Sequence, residues 1–127
     1  MGALKAGAAE IVTDGYCRDT AEIVAQRTPI CSRARGRTII PGRIKVVETQ
    51  TTVACGGTQV SPGDMVGCDD DDGVIVVPAE VADEVAVHAR AILLADMRAR
   101  RKHYEALGIM PDTSVDYEAV EAYYAAV

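Results

Sequence analysis

Apolar and polar residues along the chain fall into blocks of changing period. Leu4 to Ala9 is rich in Ala and Leu and reads as the tail of a helix, with no first turn or N-cap of its own. Glu10-Ile11-Val12-Thr13 reads as a short strand closed by the turn pair Asp14-Gly15. Asp19 or Thr20 can cap a second helix running through Glu22, Ile23 and Val24. From Thr38 to Pro78 the pattern is strand-rich, with apolar runs at Arg43 to Thr49, Thr52 to Cys55, Thr58 to Val60, Met65 to Val66 and Gly73 to Val77. Pro41-Gly42, Gly56-Gly57, Pro62-Gly63-Asp64 and Asp72-Gly73 punctuate these runs as tight turns. Glu80 to Leu107 predicts one helix of about 40 Å. Its apolar face is drawn from Val81, Val85, Ile92, Leu93, Met97, Tyr104 and Leu107, and Gly108 is its C-cap. Asp116 to Ala126 predicts a short terminal helix. The sum is a single mixed α/β domain over residues 1–127, with a β-rich middle and a long C-terminal helix.

Composition narrows the choice of class. Hydrophobic residues at 49% and charged residues at 25% are globular values. With no Phe and no Trp the core must come from Val, Ile, Leu, Ala and Met. Five Tyr as the only aromatics and a net charge of −6 argue against a nucleic-acid platform. No apolar run reaches membrane-spanning length and the N-terminus lacks a secretory pattern, so a cytoplasmic protein without membrane contact is expected. The charge is unevenly spread: Arg27, Arg33, Arg35, Arg37, Arg43 and Lys45 fall in a stretch from Ile23 to Val47 that holds no acid. That stretch reads either as a solvated basic edge or as a surface for a small polyanion or an acidic partner subunit.

Several local patterns are set aside on spacing. Cys17, Cys31, Cys55 and Cys68 form no C-x-x-C pair and read as buried thiols in a reducing compartment rather than a zinc knuckle or disulfide framework. The run Asp69 to Gly73 is out of register for a calcium loop, since Gly73 at the sixth position puts Cys68 first and Ala79 twelfth; it reads as a polar hairpin turn. His88 and His103 lack metal-ligand spacing and read as helix-surface residues.

The segment from Asp14 to Glu22 carries chemistry. A strand ends, glycine turns the chain, and Arg18 and Asp19 sit where a helix begins, a common ligand position in α/β sheets. Arg presents a planar fork matched to a carboxylate, Asp a hard oxygen suited to Mg²⁺, and Glu22 lies one turn beyond Asp19, able to accept from metal-bound water. On spacing alone the same residues also read as an N-cap with a salt bridge.

This segment, together with Val60-Ser61-Pro62-Gly63-Asp64-Met65-Val66 and Asp72-Gly73-Val74-Ile75-Val76-Val77-Pro78, resembles the RraA-like family over roughly Leu4 to Leu107. The family includes 4-hydroxy-4-methyl-2-oxoglutarate/4-carboxy-4-hydroxy-2-oxoadipate aldolases with oxaloacetate decarboxylase activity. The resemblance implies a β/β/α swivelling fold, a homotrimer or homohexamer with active sites between subunits, and a small 2-oxo acid as substrate. It implies that Arg18 binds the pyruvyl carboxylate and oxo oxygen, that Asp19 holds Mg²⁺ (or Mn²⁺), and that Glu22 completes the Arg-Asp-x-x-acid pattern. Members of this type also use a glycine-bearing loop upstream of the first helix, which would fall before Met1, so the resemblance implies a fold incomplete at the N-terminus. Two rival expectations remain: a non-catalytic binding protein of the ribonuclease E regulator type, which lacks the Asp after the Arg, and an inactive fragment.

Overall fold

Strand β1 (Ile11–Cys17) and strand β2 (Ile30–Arg35) pair in parallel, Ile11 opposite Ile30 and Cys17 opposite Arg35. A parallel pair needs a crossover, here the short helix α1 (Thr20–Ala25). The computed structural model describes residues 5–37, 39–69 and 71–126. They form two units, residues 1–79 and 80–127, described in turn.

In the first unit Lys5 is the last helical residue and Gly7 turns the chain out at φ 92°, so the helix tail predicted to Ala9 stops four residues earlier; residues 1–4 lie outside the described residues. Asp14-Gly15 is not a turn. The register shifts between Thr13 and Tyr16, which makes the pair a bulge inside β1, and Thr13 Oγ1 accepts from Gly15 N at 3.0 Å. Asp14 Oδ2 accepts from Gly56 N at 3.1 Å and ties that bulge to the next hairpin. Strands β3 (Val53–Cys55) and β4 (Thr58–Val60) are joined by Gly56-Gly57, whose φ values of 60° and 87° suit a two-residue hairpin turn. Strands β5 (Met65–Asp69) and β6 (Gly73–Val77) form a second hairpin over the acidic turn, as expected; Asp70 of that run lies outside the described residues. Asp69 Oδ1 accepts from Asp71 N and Asp72 N, first Asp72 and then Asp71 holding its carboxyl below the usual range. Asp64 accepts from Ser61 N at 2.7 Å and Ala79 N at 3.1 Å, clamping the Pro62-Gly63 turn to the chain leaving β6.

Three further expectations change in this unit. Arg43 to Thr49 is not a strand: no partner ladder forms among the described residues, and Val46 and Val47 are 77% and 85% exposed. Ile30–Arg35, where no strand was expected, is a strand, with Arg33 and Arg35 of the basic stretch on its exposed positions. Cys31 and Cys68 are not separate buried thiols; strands β2 and β5 bring their Cα atoms to 6.7 Å and the sulfurs are bonded. Cys17 is a buried free thiol as expected, and Cys55 is free and half-buried.

In the second unit a 3-10 turn (Ala79–Val81) leads into helix α2 (Ala82–Leu107). Gly108 ends it at φ 66°, and Ile109 N donates back to Tyr104 O at 2.9 Å, a left-handed cap that a side chain would strain. A 3-10 turn (Thr113–Val115) and helix α3 (Tyr117–Ala125) return along α2. Tyr104 bonds Asp112, Arg98 pairs with Glu121 and lies over the Tyr117 ring, and Arg90 lies 4.6 Å from the Tyr124 centroid, an antiparallel order. The packed stripe is therefore Arg90, Leu94, Met97, Arg101 and Tyr104, spaced by fours and threes. Leu94 and Met97 are buried, and Val115 on the returning segment is fully enclosed. Ile92 and Leu93, expected on the packed face, remain exposed, because the returning segment covers the neighbouring stripe.

Two outcomes follow from these contacts. Asp64→Ala removes two charge-assisted bonds to backbone N–H groups and should cost about 2 kcal/mol in denaturant unfolding. The Asp112 carboxyl is held below the usual range, first by the Ser114 hydroxyl and then by the Ser114 backbone N–H. Its contribution is therefore present above roughly pH 4 and lost as pH falls through the lowered value. Asp112→Ala should lower Tm at pH 7, and the gap to the parent protein should close progressively on acidification below about pH 4.

Candidate functional site

Strand β1 ends at Cys17, buried and fixed by Gly36 N donating to its carbonyl at 2.9 Å. The next two residues must turn the chain into α1. Asp19 does so in the left-handed region, at φ 57° and ψ 38°, which Asp tolerates better than most residues. Its carbonyl still accepts the first helical bonds, from Glu22 N and Ile23 N, both at 3.1 Å. An N-cap side chain ordinarily accepts from the second or third helical amide with its own backbone extended. Asp19 occupies the cap position but makes no such bond, and its Oδ2 instead accepts from Arg18 Nε at 2.8 Å. Of the N-cap with a salt bridge that the spacing suggests, the salt bridge forms and the side-chain cap does not.

Five other aspartates hold the backbone in place. Asp14, Asp64, Asp69, Asp112 and Asp116 each accept from backbone N–H groups and fix a turn, a hairpin or a helix start. Asp19 differs: its described partner is a guanidinium. The two side chains are 47% and 51% exposed, so the ion pair itself adds little stability. Arg18 binds through Nε, and its two terminal nitrogens make no hydrogen bond or ion pair among the described residues. Asp19 Oδ1 accepts from no donor among the described residues. Glu22, one turn on, is exposed and makes no side-chain hydrogen bond among the described residues. Arg18 and Asp19 are thus brought together, and Glu22 stands on α1 with no side-chain bond to either.

The first unit also holds an open groove of about 1160 Å³ between the β1–β2 pair and the two hairpins. Its apolar wall includes Val12, Ile23, Ile30, Val60 and Val76, and Arg27, Arg33 and Arg35 of the basic stretch also line it. Cys17 and Thr20 reach this groove, but Arg18, Asp19 and Glu22 are not among its lining. Sequence reasoning missed a second cluster on the groove side: Glu10, Cys31 and Cys68 offer ligand atoms all within 4.8 Å of one another. Residues separated by 21 and 37 positions give no local motif; the alternation of Ser32 and Ala34 with Arg33 and Arg35 was the only available sign that Cys31 belongs to a strand.

Asp19→Ala places an ordinary residue at φ 57° and should cost about 1 kcal/mol in stability. Asp19→Asn tolerates that backbone and should leave the unfolding midpoint unchanged, since no cap bond is lost.

The RraA-like family model, described as Aldolase/RraA, matches residues 1–76, a span that contains Arg18, Asp19, Glu22 and the Asp64 clamp. Among solved structures, a crystal structure of an uncharacterized protein from Pseudomonas syringae pv. tomato str. DC3000 is similar at 28% identity and a TM-score of 0.70. The match covers 92% of this chain and 56% of that one, so the chain spans little more than half its length. No protein of curated function matches the chain significantly. With more than half of its residues matched by the family model and the fold shared with a solved relative, the chain belongs to the RraA-like family.

Proposed function

We propose that residues 1–127 are one RraA-like domain serving a divalent-metal-dependent class II aldolase. Its substrates are 4-hydroxy-2-oxo acids of the 4-hydroxy-4-methyl-2-oxoglutarate type, cleaved to pyruvate, and oxaloacetate, which it decarboxylates. The observation that carries this reading is the Asp19 carboxylate, turned from its cap position onto Arg18 Nε at 2.8 Å. The family contains both lyases and non-catalytic members, and the presence of this Arg-Asp pair supports the lyase.

Mg²⁺ or Mn²⁺ fits the donors present: Asp19 Oδ1 is a hard oxygen beside open solvent, which suits a cation that keeps most of its water ligands. When bound, the cation supplies Lewis-acid polarisation of the substrate's carboxylate and 2-oxo oxygens. The free fork of Arg18 binds the 1-carboxylate in two-point fashion and sets the 2-oxo group beside Asp19. As the C3–C4 bond breaks, its electron pair moves toward C3 and charge grows on the 2-oxo oxygen, where the Arg18 guanidinium stabilises it. Glu22 accepts from a water that takes the 4-hydroxyl proton, so the departing fragment leaves as a carbonyl compound. Oxaloacetate follows the same bond cleavage, with CO₂ leaving. Arg18 and Asp19 are each about half exposed and outside the groove, so we place the remaining walls on a neighbouring copy in a homotrimer or homohexamer. Among the described residues no helix is long and apolar enough to cross a membrane.

Pyruvate release with Mg²⁺ tests the reading. Asp19→Asn should abolish the metal-dependent rate, and chelation should do the same to the parent protein. Arg18→Lys keeps the charge but loses the fork and should slow turnover by about 100-fold. Parental rates in Asp19→Asn would sink the assignment, and ribonuclease E retention without any turnover would move the chain to the binding-protein class.

A further inference from the structure

The Cys31–Cys68 bridge joins two parts of the first unit that share no sheet. Cys31 lies on β2 and Cys68 on β5, 37 residues apart, and both line the open groove. Both are half-buried, within reach of a small reagent entering that groove. The third member of the cluster gives the pair its character. Glu10 Oε1 stands 3.2 Å from Cys31 Sγ, the separation of a thiol donating to a carboxylate. A disulfide sulfur has no hydrogen to donate, so this carboxylate gains a partner only when the bridge is open. Hydrogen bonding to the reduced form favours reduction.

We propose that Cys31 and Cys68 form a redox-active pair that exchanges electrons with low-molecular-weight thiols and disulfides, with Glu10 accepting the thiol hydrogen of the reduced state. The site is separate from the Arg18–Asp19 reading and stands or falls without it. In the reducing direction a small-molecule thiolate attacks Cys68 Sγ, the bridge bond breaks, and Cys31 leaves as a thiolate. That thiolate takes up a proton and donates it in a hydrogen bond to Glu10. A second small-molecule thiolate attacks the external sulfur of the mixed disulfide and leaves as a small-molecule disulfide, and the freed Cys68 thiolate takes up a proton. Two electrons pass from the small thiols to the protein, and the two protons they release end on Cys31 and Cys68. Oxidation by the small-molecule disulfide runs the same steps in reverse.

Equilibration of the full chain in graded buffers of reduced and oxidised glutathione tests this, with free thiols blocked by maleimide and the linkage mapped by peptide mass spectrometry. One two-electron transition is expected within the glutathione range, with a Cys31–Cys68 linked peptide on the oxidised side and Cys17 and Cys55 free throughout. Glu10→Ala should lower the ratio of dithiol to disulfide at a fixed poise by about threefold, roughly 14 mV for a two-electron couple. Glu10→Gln retains an acceptor and should fall between the two. The proposal is overturned if the pair stays fully linked or fully reduced across all buffers, or if the linkage involves Cys17 or Cys55. It is likewise overturned if the midpoint is unmoved in Glu10→Ala, or if the reduced protein holds stoichiometric zinc that maleimide releases.

Discussion

The parallel pairing of β1 with β2 is the constraint on which the first unit rests. Two parallel strands cannot be joined by a tight turn, so the chain must climb from the end of β1 back to the start of β2. Helix α1 is that climb, and the junction between β1 and α1 is where Arg18 and Asp19 stand. The same pairing sets Cys31 one residue beyond Ile30, opposite Val12, and so near Glu10 at the start of β1. Both features of chemical interest in this unit thus follow from one ladder of backbone hydrogen bonds.

The aspartates show how a backbone conformation can set one carboxylate apart from those that hold the backbone. A carboxylate at a turn or helix start normally captures nearby N–H groups, and five of the aspartates discussed here do so. The left-handed backbone at Asp19 starts the helix through the carbonyl while turning the side chain elsewhere. The neighbouring guanidinium then meets one oxygen and leaves the other open. The side-chain cap bond is given up, and the proposal for this site rests on the oxygen left open.

Packing within each unit is thin and specific. In the helical unit Leu94, Met97 and Val115 form the enclosed core, and arginines stacked on Tyr117 and Tyr124 extend it outward. In the strand-rich unit, which has no Phe or Trp to fill space, Cys17 is the buried apolar residue among the described residues. There the apolar positions of β1, β2 and the hairpins border an open groove. Hydrogen bonds to Asp14 and Asp64 and the Cys31–Cys68 bridge therefore carry more of the arrangement than side-chain interdigitation does.

The sequence by itself determined the long helix, its Gly108 end, the terminal helix, and the hairpins at Gly56-Gly57 and around the acidic run. Each of these depends on residues within a few positions: a period of 3.6, a left-handed glycine, a polar turn between two apolar runs. The adjacency of Arg18 and Asp19 was legible for the same reason, and the family motifs around them set the fold class. Tertiary structure alone decided that Asp14-Gly15 bulges within a strand, since a bulge exists only against a partner. It likewise decided that Arg43 to Thr49 stays irregular, for want of a ladder, and that Leu94 rather than Ile92 turns inward, because the returning helix chose that stripe. The meeting of Glu10, Cys31 and Cys68 belongs with these, for proximity between distant residues is made by strand pairing and hairpin placement, and no local spacing encodes it.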